Sequence, residues 1–140
     1  MRYIKTLIST GLAICFACSG FSTLAQEWPA KPVRLIVPMP PAGTTDNMGR
    51  LVAQKMSELT GQVVVVENKV GANGNIGSDF VSKSAPDGYT LLVSGVGSQG
   101  INATLYRSMP YDIVEGLTHI GMIAKGPNAL VVNPAFPANT

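Results

Sequence analysis

Short apolar runs alternate with apolar positions at helical spacing along most of the chain, and this alternation predicts its architecture. Val33 to Val37 is apolar throughout except for Arg34, which reads as a buried strand. Pro38, Pro40 and Pro41 end it, because proline has no N–H to give to a ladder. Thr44 or Thr45 can cap the helix that follows, and a carboxylate at Asp46 suits its first turn. Met48, Leu51, Val52, Met56 and Leu59 then predict one apolar helical face, and Gly61 is the expected stop. Val63 to Val66 shows no polar alternation, as in parallel strands covered on both faces. Ile76, Phe80 and Val81 predict a second, shorter helix, stopped at Pro86-Asp87-Gly88, and Tyr89 to Ser94 a third strand. Ile101 to Tyr106 has room for one or two helical turns. Leu117 to Ala124 and Ala129 to Val132 are further strand candidates, joined through Lys125 to Asn128. Alternating strand and helix is the signature of a right-handed, doubly wound, mostly parallel α/β sheet. Ligands of such sheets bind beyond the carboxyl ends of the strands.

The first 25 residues follow a different rule. Arg2 and Lys5 make a basic start, Thr6 to Phe21 carries no charge, and Thr23-Leu-Ala25 offers small residues at the −3 and −1 positions of a cleavage site. This three-part pattern predicts a secretory signal peptide over residues 1–25. Both cysteines, Cys15 and Cys18, lie inside it, so the exported part is expected to carry no disulfide and no thiolate chemistry. Removing the leader also changes the charge. Ten basic residues lose Arg2 and Lys5, leaving eight against eight acidic ones, a formal net charge of zero. No general basic field for nucleic acid or a membrane surface remains. At the other end, Asn133 to Thr140 reads as a linker that stops on a helix-capping residue, the pattern expected of a truncation.

Two loops carry the candidate chemistry. Both follow a strand and open onto a helix, so both present unpaired N–H groups at a helix N-terminus, where the dipole favours anions. In the first, Pro38 to Asp46, Gly43 permits close approach of a ligand to the backbone, Thr44 and Thr45 supply hydroxyls, and Asp46 can reach a ligand through water. The plainer alternative is a capped strand-to-helix turn. The second, Gly71-Ala-Asn-Gly-Asn-Ile-Gly77, lacks the glycine spacing of a dinucleotide fingerprint and the Lys and Ser/Thr of a P-loop; it reads as a tight turn or an amide-lined wall. His119, the single histidine, falls in a predicted strand, with no cysteine nearby and no second histidine, so neither a metal site nor any cofactor is expected. Trp28, Tyr106 and Tyr111 read as packing groups.

Taken in order, Trp28-Pro29-x-Lys31-Pro32-Val33-Arg34-Leu-Ile-Val-Pro38, Pro41-x-Gly-x-Thr-Asp46, Val65-Val-Glu-Asn68, Gly71-Ala-x-Gly-Asn-Ile-Gly77, Ala85-Pro-Asp-Gly-Tyr-Thr-Leu-Leu92, Asn102-x-x-Leu-Tyr106, Pro110-Tyr-Asp112 and Leu130-Val-Val-Asn-Pro134 resemble the Bug family, the periplasmic solute receptors of tripartite tricarboxylate transporters. The resemblance implies a type II periplasmic-binding-protein fold of two α/β lobes with the ligand between them. It also implies small carboxylate ligands or related metabolites, no enzymatic activity, a membrane permease as partner, no nucleic acid, and a monomer at full length. By the same resemblance Pro41, Ala42, Gly43, Thr44, Thr45 and Asp46 form half of a pincer on a ligand carboxylate. Gly74, Asn75 and Ile76, with Ser94 and Ser98, form the neighbouring wall. Residues 26–128 would then be a first, incomplete lobe, 129–140 the crossing towards a second, and the second lobe would be missing. Two positions depart from the family pattern: Ala42 replaces the first of two glycines, and Met39 stands where an aromatic is common. Two rival readings stay open at the level of residues. One is a small exported hydrolase using His119, although no serine sits in a G-x-S-x-G elbow; the other is a non-functional fragment.

Overall fold

The computed structural model describes residues 27–127, 129–133 and 135–137. The leader prediction over residues 1–25, and Asn128 in the predicted connection, lie outside them. The chain divides into two compact units, Met1–Ala30 and Lys31–Thr140; the helices and strands of the described residues lie in the second.

Its centre is a three-stranded parallel sheet in the order β2-β1-β3, made of β1 (Val33–Val37), β2 (Val64–Asn68) and β3 (Thr90–Leu92). Between β1 and β2 runs α1 (Thr44–Thr60), and between β2 and β3 runs α2 (Asn75–Ser82). Side chains alternate across a strand. Val33, Leu35 and Val37 therefore face one way and pack with Val64, Val93 and Ala53 of α1, with Val52, Met56, Val66 and Leu91 around them. Arg34 faces the other way, under the Phe80 ring of α2, on the same face as the fully buried Ile36. Helices thus cover both faces of β1, the doubly wound arrangement expected. Each fully buried aliphatic side chain contributes about 1.5–3 kcal/mol by leaving water, which is why the central strand is the most apolar.

Several expectations are corrected. The second strand is neither fully buried nor free of alternation: Val64 is buried, while Val63 and Val65 are exposed. It is an edge strand of the sheet, and α1 covers only one of its faces. On α1 the inward face is made by Gly49, Val52, Ala53 and Met56, and Leu51 and Leu59 point to solvent. The packing seam follows the two small residues that let the helix approach the sheet, not the largest apolar ones. Ile76 on α2 is likewise exposed, whereas Asn75, Gly77 and Ser78 are buried. Gly61 does stop α1: it adopts a left-handed conformation, and its N–H bonds the Ser57 carbonyl at 3.0 Å. The segment after β3 forms a five-residue π-helical turn, Gly97–Ile101, and then one short helix, α3 (Asn102–Leu105). Leu117 to Ala124 and Ala129 to Val132 form no strand, and Ile120, Leu130 and Val131 are exposed. Strand propensity alone cannot hold an extended segment that has no ladder partner, and β3 bonds only β1 among the described residues. His119 is accordingly exposed and outside any strand. Tyr111 is buried, but Trp28 and Tyr106 are not.

Candidate ligand site

All three strands are parallel, so their carboxyl ends, at Val37, Asn68 and Leu92, lie along one edge. The loops that leave that edge are the ones singled out above. The first turns out of β1 at Pro38 and enters α1 through Gly43, which is its N-cap with φ −78° and ψ 170°. Thr44 and Thr45 are the first residues of the helix rather than its caps, and no side chain caps it. The amides of Gly43, Thr44 and Thr45 therefore have no partner within the helix and stay available at its positive end. Pro41, Ala42, Gly43 and Thr44 are exposed, and Thr45 is half-buried.

Asp46 lies beneath this loop, not at its surface, and is only 1% exposed. Its Oδ2 accepts the Ala42 N–H and the Arg50 Nε–H, each at 2.9 Å. Its Oδ1 accepts the Asn68 Nδ2–H at 2.9 Å. Contact with a ligand through water is not the role this geometry provides; the carboxylate is spent on the loop itself. The Arg50 guanidinium, then the Asn68 amide and the Ala42 N–H, hold its carboxyl down to about 2 from the ordinary 3.8. A lowered carboxyl pKa stabilises the fold at pH above its unfolded value, and that stabilisation is lost as pH falls through the folded value. The Asp46 contribution should therefore be constant at pH 5–8 and disappear between 3.8 and about 2. An NMR titration should show the Ala42 amide shift moving with a midpoint near about 2. A midpoint at the ordinary value would show that the contacts do not form in solution.

Ala42 adopts φ +66°, a left-handed conformation that costs a non-glycine residue about 1–2 kcal/mol. A glycine takes it freely, so alanine keeps the turn here with strain, and nothing in the structure explains the departure.

The second loop carries three successive left-handed residues, Ala72, Asn73 and Gly74. Gly74 is required by space as well as by conformation. A Cβ there would lie 3.2 Å from Ser98 Cβ and 3.3 Å from Met39 Cε. Met39 of the first loop, Gly74 of the second and Ser98 of the π-helical turn after β3 therefore converge. The Ser94 and Ser98 hydroxyls hydrogen-bond each other. The expected wall is brought together at Gly74, Ser94 and Ser98; Asn75 and Ile76 diverge from it. Ile76 points to solvent, and Asn75 points inward, its Oδ1 accepting the Asn102 Nδ2–H at 2.7 Å.

That inward direction reveals a buried polar network the sequence did not announce. Asn102 also donates to the Asn73 carbonyl at 3.1 Å and accepts from Asn73 Nδ2 at 2.9 Å. The Tyr111 hydroxyl donates to the Ser98 carbonyl at 2.6 Å. The Asn102 bonds clasp the second loop to the start of α3, directly after the π-helical turn, and Tyr111 holds that turn at Ser98. The available signals were weak: an Asn closing a strand at Asn68, an acid–base pair four residues apart at Asp46 and Arg50, and a lone Asn at 102. Among the described residues no group of three or more His, Cys, Asp and Glu side chains is placed to hold a metal ion.

A parallel α/β sheet whose strand-end loops present backbone amides and hydroxyls along one edge is the architecture of a small-ligand-binding α/β lobe. Residues 48–140 match the family model described as "Tripartite tricarboxylate transporter family receptor", and the chain belongs to that family. It is 40% identical over 135 residues to Protein BugT of Bordetella pertussis, covering 96% of this chain and 41% of BugT. Among solved structures, the periplasmic binding protein BugD superposes with a TM-score of 0.61 at 38% identity, over 64% of this chain and 29% of BugD. MatC of Rhodopseudomonas palustris, solved with bound malate, superposes with a TM-score of 0.61 at 32% identity, over 64% of this chain and 30% of MatC. Rpa4515 of R. palustris, solved with adipate, gives a TM-score of 0.61 at 41% identity, over 62% of this chain and 29% of that protein. The chain thus spans well under half the length of the relatives it matches.

Proposed function

We propose that this chain supplies one wall of the ligand site of a periplasmic receptor that captures a small carboxylate and delivers it to the membrane permease of a tripartite tricarboxylate transporter. The observation that carries the reading is the outward-facing, uncapped first turn of α1 at Gly43 to Thr45, set beside Met39, Gly74 and Ser98 at the carboxyl edge of the sheet. Backbone amides at a helix start bind a carboxylate without placing a full positive charge in the site. The family membership and the carboxylates bound by MatC and Rpa4515 supply the ligand class. His119, on which the hydrolase alternative would rest, is exposed and outside any helix or strand. No helix among the described residues is long and apolar enough to cross a membrane. Export is assigned to residues 1–25, with cleavage after Ala25; intact-mass analysis of the exported protein should then begin at Gln26.

The test is calorimetry with malate, adipate, citrate and aspartate on a chimera in which residues 26–140 continue into the remainder of BugT. A cleft ligand is buried between two walls, so the chimera should bind one of these at micromolar concentration or better. The present chain alone should bind about 4 kcal/mol more weakly, in the millimolar range. A chimera that folds but binds none of them would remove the carboxylate reading.

A further inference from the structure

Around Asp46 the first loop is held from both of its limbs by two side chains from other elements. Asn68 closes β2, and its Nδ2 donates both to Asp46 Oδ1 and to the Met39 carbonyl at 3.0 Å. It therefore grips the limb that leaves β1. Asp46 Oδ2 grips the other limb at the Ala42 N–H. Arg50, one turn further along α1, bonds Asp46 through Nε and the Asn68 Oδ1 through an NH2 group at 3.2 Å, which orients the Asn68 amide so that both its hydrogens face the loop. All of the bonds are within ordinary hydrogen-bond range, and those to the carboxylate are charge-assisted. Charge matters as much as geometry. A bare carboxylate inside the first turn would repel an anion arriving at the neighbouring amides; here the guanidinium neutralises it.

We propose that Asp46, Asn68 and Arg50 are positioning residues for ligand capture: they do not touch the ligand but lock the β1–α1 loop with the Gly43, Thr44 and Thr45 amides turned outward, and Arg50 cancels the charge of Asp46 for an incoming anion. The functional half of this rests on the carboxylate reading above. The structural half does not.

Two readouts on the full chain keep the halves distinct. The first needs no ligand. Amide hydrogen exchange at Ala42 should accelerate about tenfold or more in Asn68→Ala, the loss expected when a charge-assisted bond is loosened, while exchange at Leu35 and Ala53 stays at the parent rate. The second is the shift of the Gly43, Thr44 and Thr45 amide resonances on titration with adipate and with malate. Half-saturation should rise about tenfold or more in Asn68→Ala, and similarly in Arg50→Ala, which spares the core because the Arg50 side chain is half-exposed. Arg50→Lys keeps the charge but loses the second bond to Asn68, so it should recover part of the adipate response without recovering the slow Ala42 exchange. That split is one that a purely structural role would not produce. Unchanged Ala42 exchange in Asn68→Ala overturns the lock. Faster exchange with an unchanged titration overturns its role in capture. A parent chain whose amides answer neither probe up to tens of millimolar overturns the role in capture for this chain, the carboxylate reading itself being tested by the chimera, and the lock then stands or falls on the exchange result alone.

Discussion

Gly77→Ala is expected to destabilise the fold by about 3 kcal/mol, the upper end of what overpacking a filled interior costs. Gly77 lies on α2 where the helix passes between two backbone segments. A Cβ there would stand 2.7 Å from Pro38 Cβ and 2.9 Å from the Lys69 carbonyl oxygen. Pro38 is itself fully buried at the end of the central strand, and neither neighbour is the end of a flexible side chain. The helix would have to lift from the sheet, and with it both loops of the ligand edge. Urea denaturation should show a lower midpoint with an unchanged slope. An unmoved midpoint would mean that α2 rides farther from Pro38 than the structure places it.

Gly43→Val is expected to do the reverse: little harm to the fold and a large loss of binding. Gly43 has an extended backbone that any residue adopts, and a Cβ there meets only the Pro40 carbonyl oxygen, at ordinary contact distance, 3.5 Å. Neither conformation nor packing demands a glycine; beyond its suitability as an N-cap, the role proposed for it is to let a ligand approach. Stability should fall by about 1 kcal/mol or less, the scale of a poorer N-cap. A branched side chain beside the Thr44 and Thr45 amides would occupy the place of the carboxylate. In the BugT chimera, affinity for whichever carboxylate binds best should drop by about 1–3 kcal/mol or more, the worth of one or two charge-assisted hydrogen bonds. Thr45→Ala should cost less, because it removes a hydroxyl and leaves the amides. A folded Gly43→Val chimera that binds like its parent would reduce the loop to a turn.

The two glycines look alike in the sequence, each beside a predicted helix start, and the structure separates them into one fixed by packing and one left free. The same division runs through the chain. The three strands, the two longer helices, the stop at Gly61 and the edge at which the loops gather were legible, because each follows from local periodicity, proline and glycine punctuation, and the handedness of parallel sheets. The inward face of α1 was not. Leu51 and Leu59 carry the apolar signal, yet Gly49 and Ala53 make the contact, since closeness of approach is a property of two surfaces. The strands predicted over Leu117 to Ala124 and Ala129 to Val132 failed for a related reason: a ladder is a relation between segments, and among the described residues no other strand lies beside these.

What the sequence determined alone was the order and type of the early elements and the family resemblance of its motifs, because both reside in local runs of residues. What only the tertiary structure decided was the work each polar side chain does. The sequence read Asp46 as able to reach a ligand through water; the fold also brings Asn68, 22 residues away, and Arg50 onto its carboxylate. Asn75 read as part of a pocket wall until Asn102, 27 residues on, turned it inward. A hydrogen bond needs its partner within about 3 Å and in line, and no local pattern states which distant residue the fold will bring to that place.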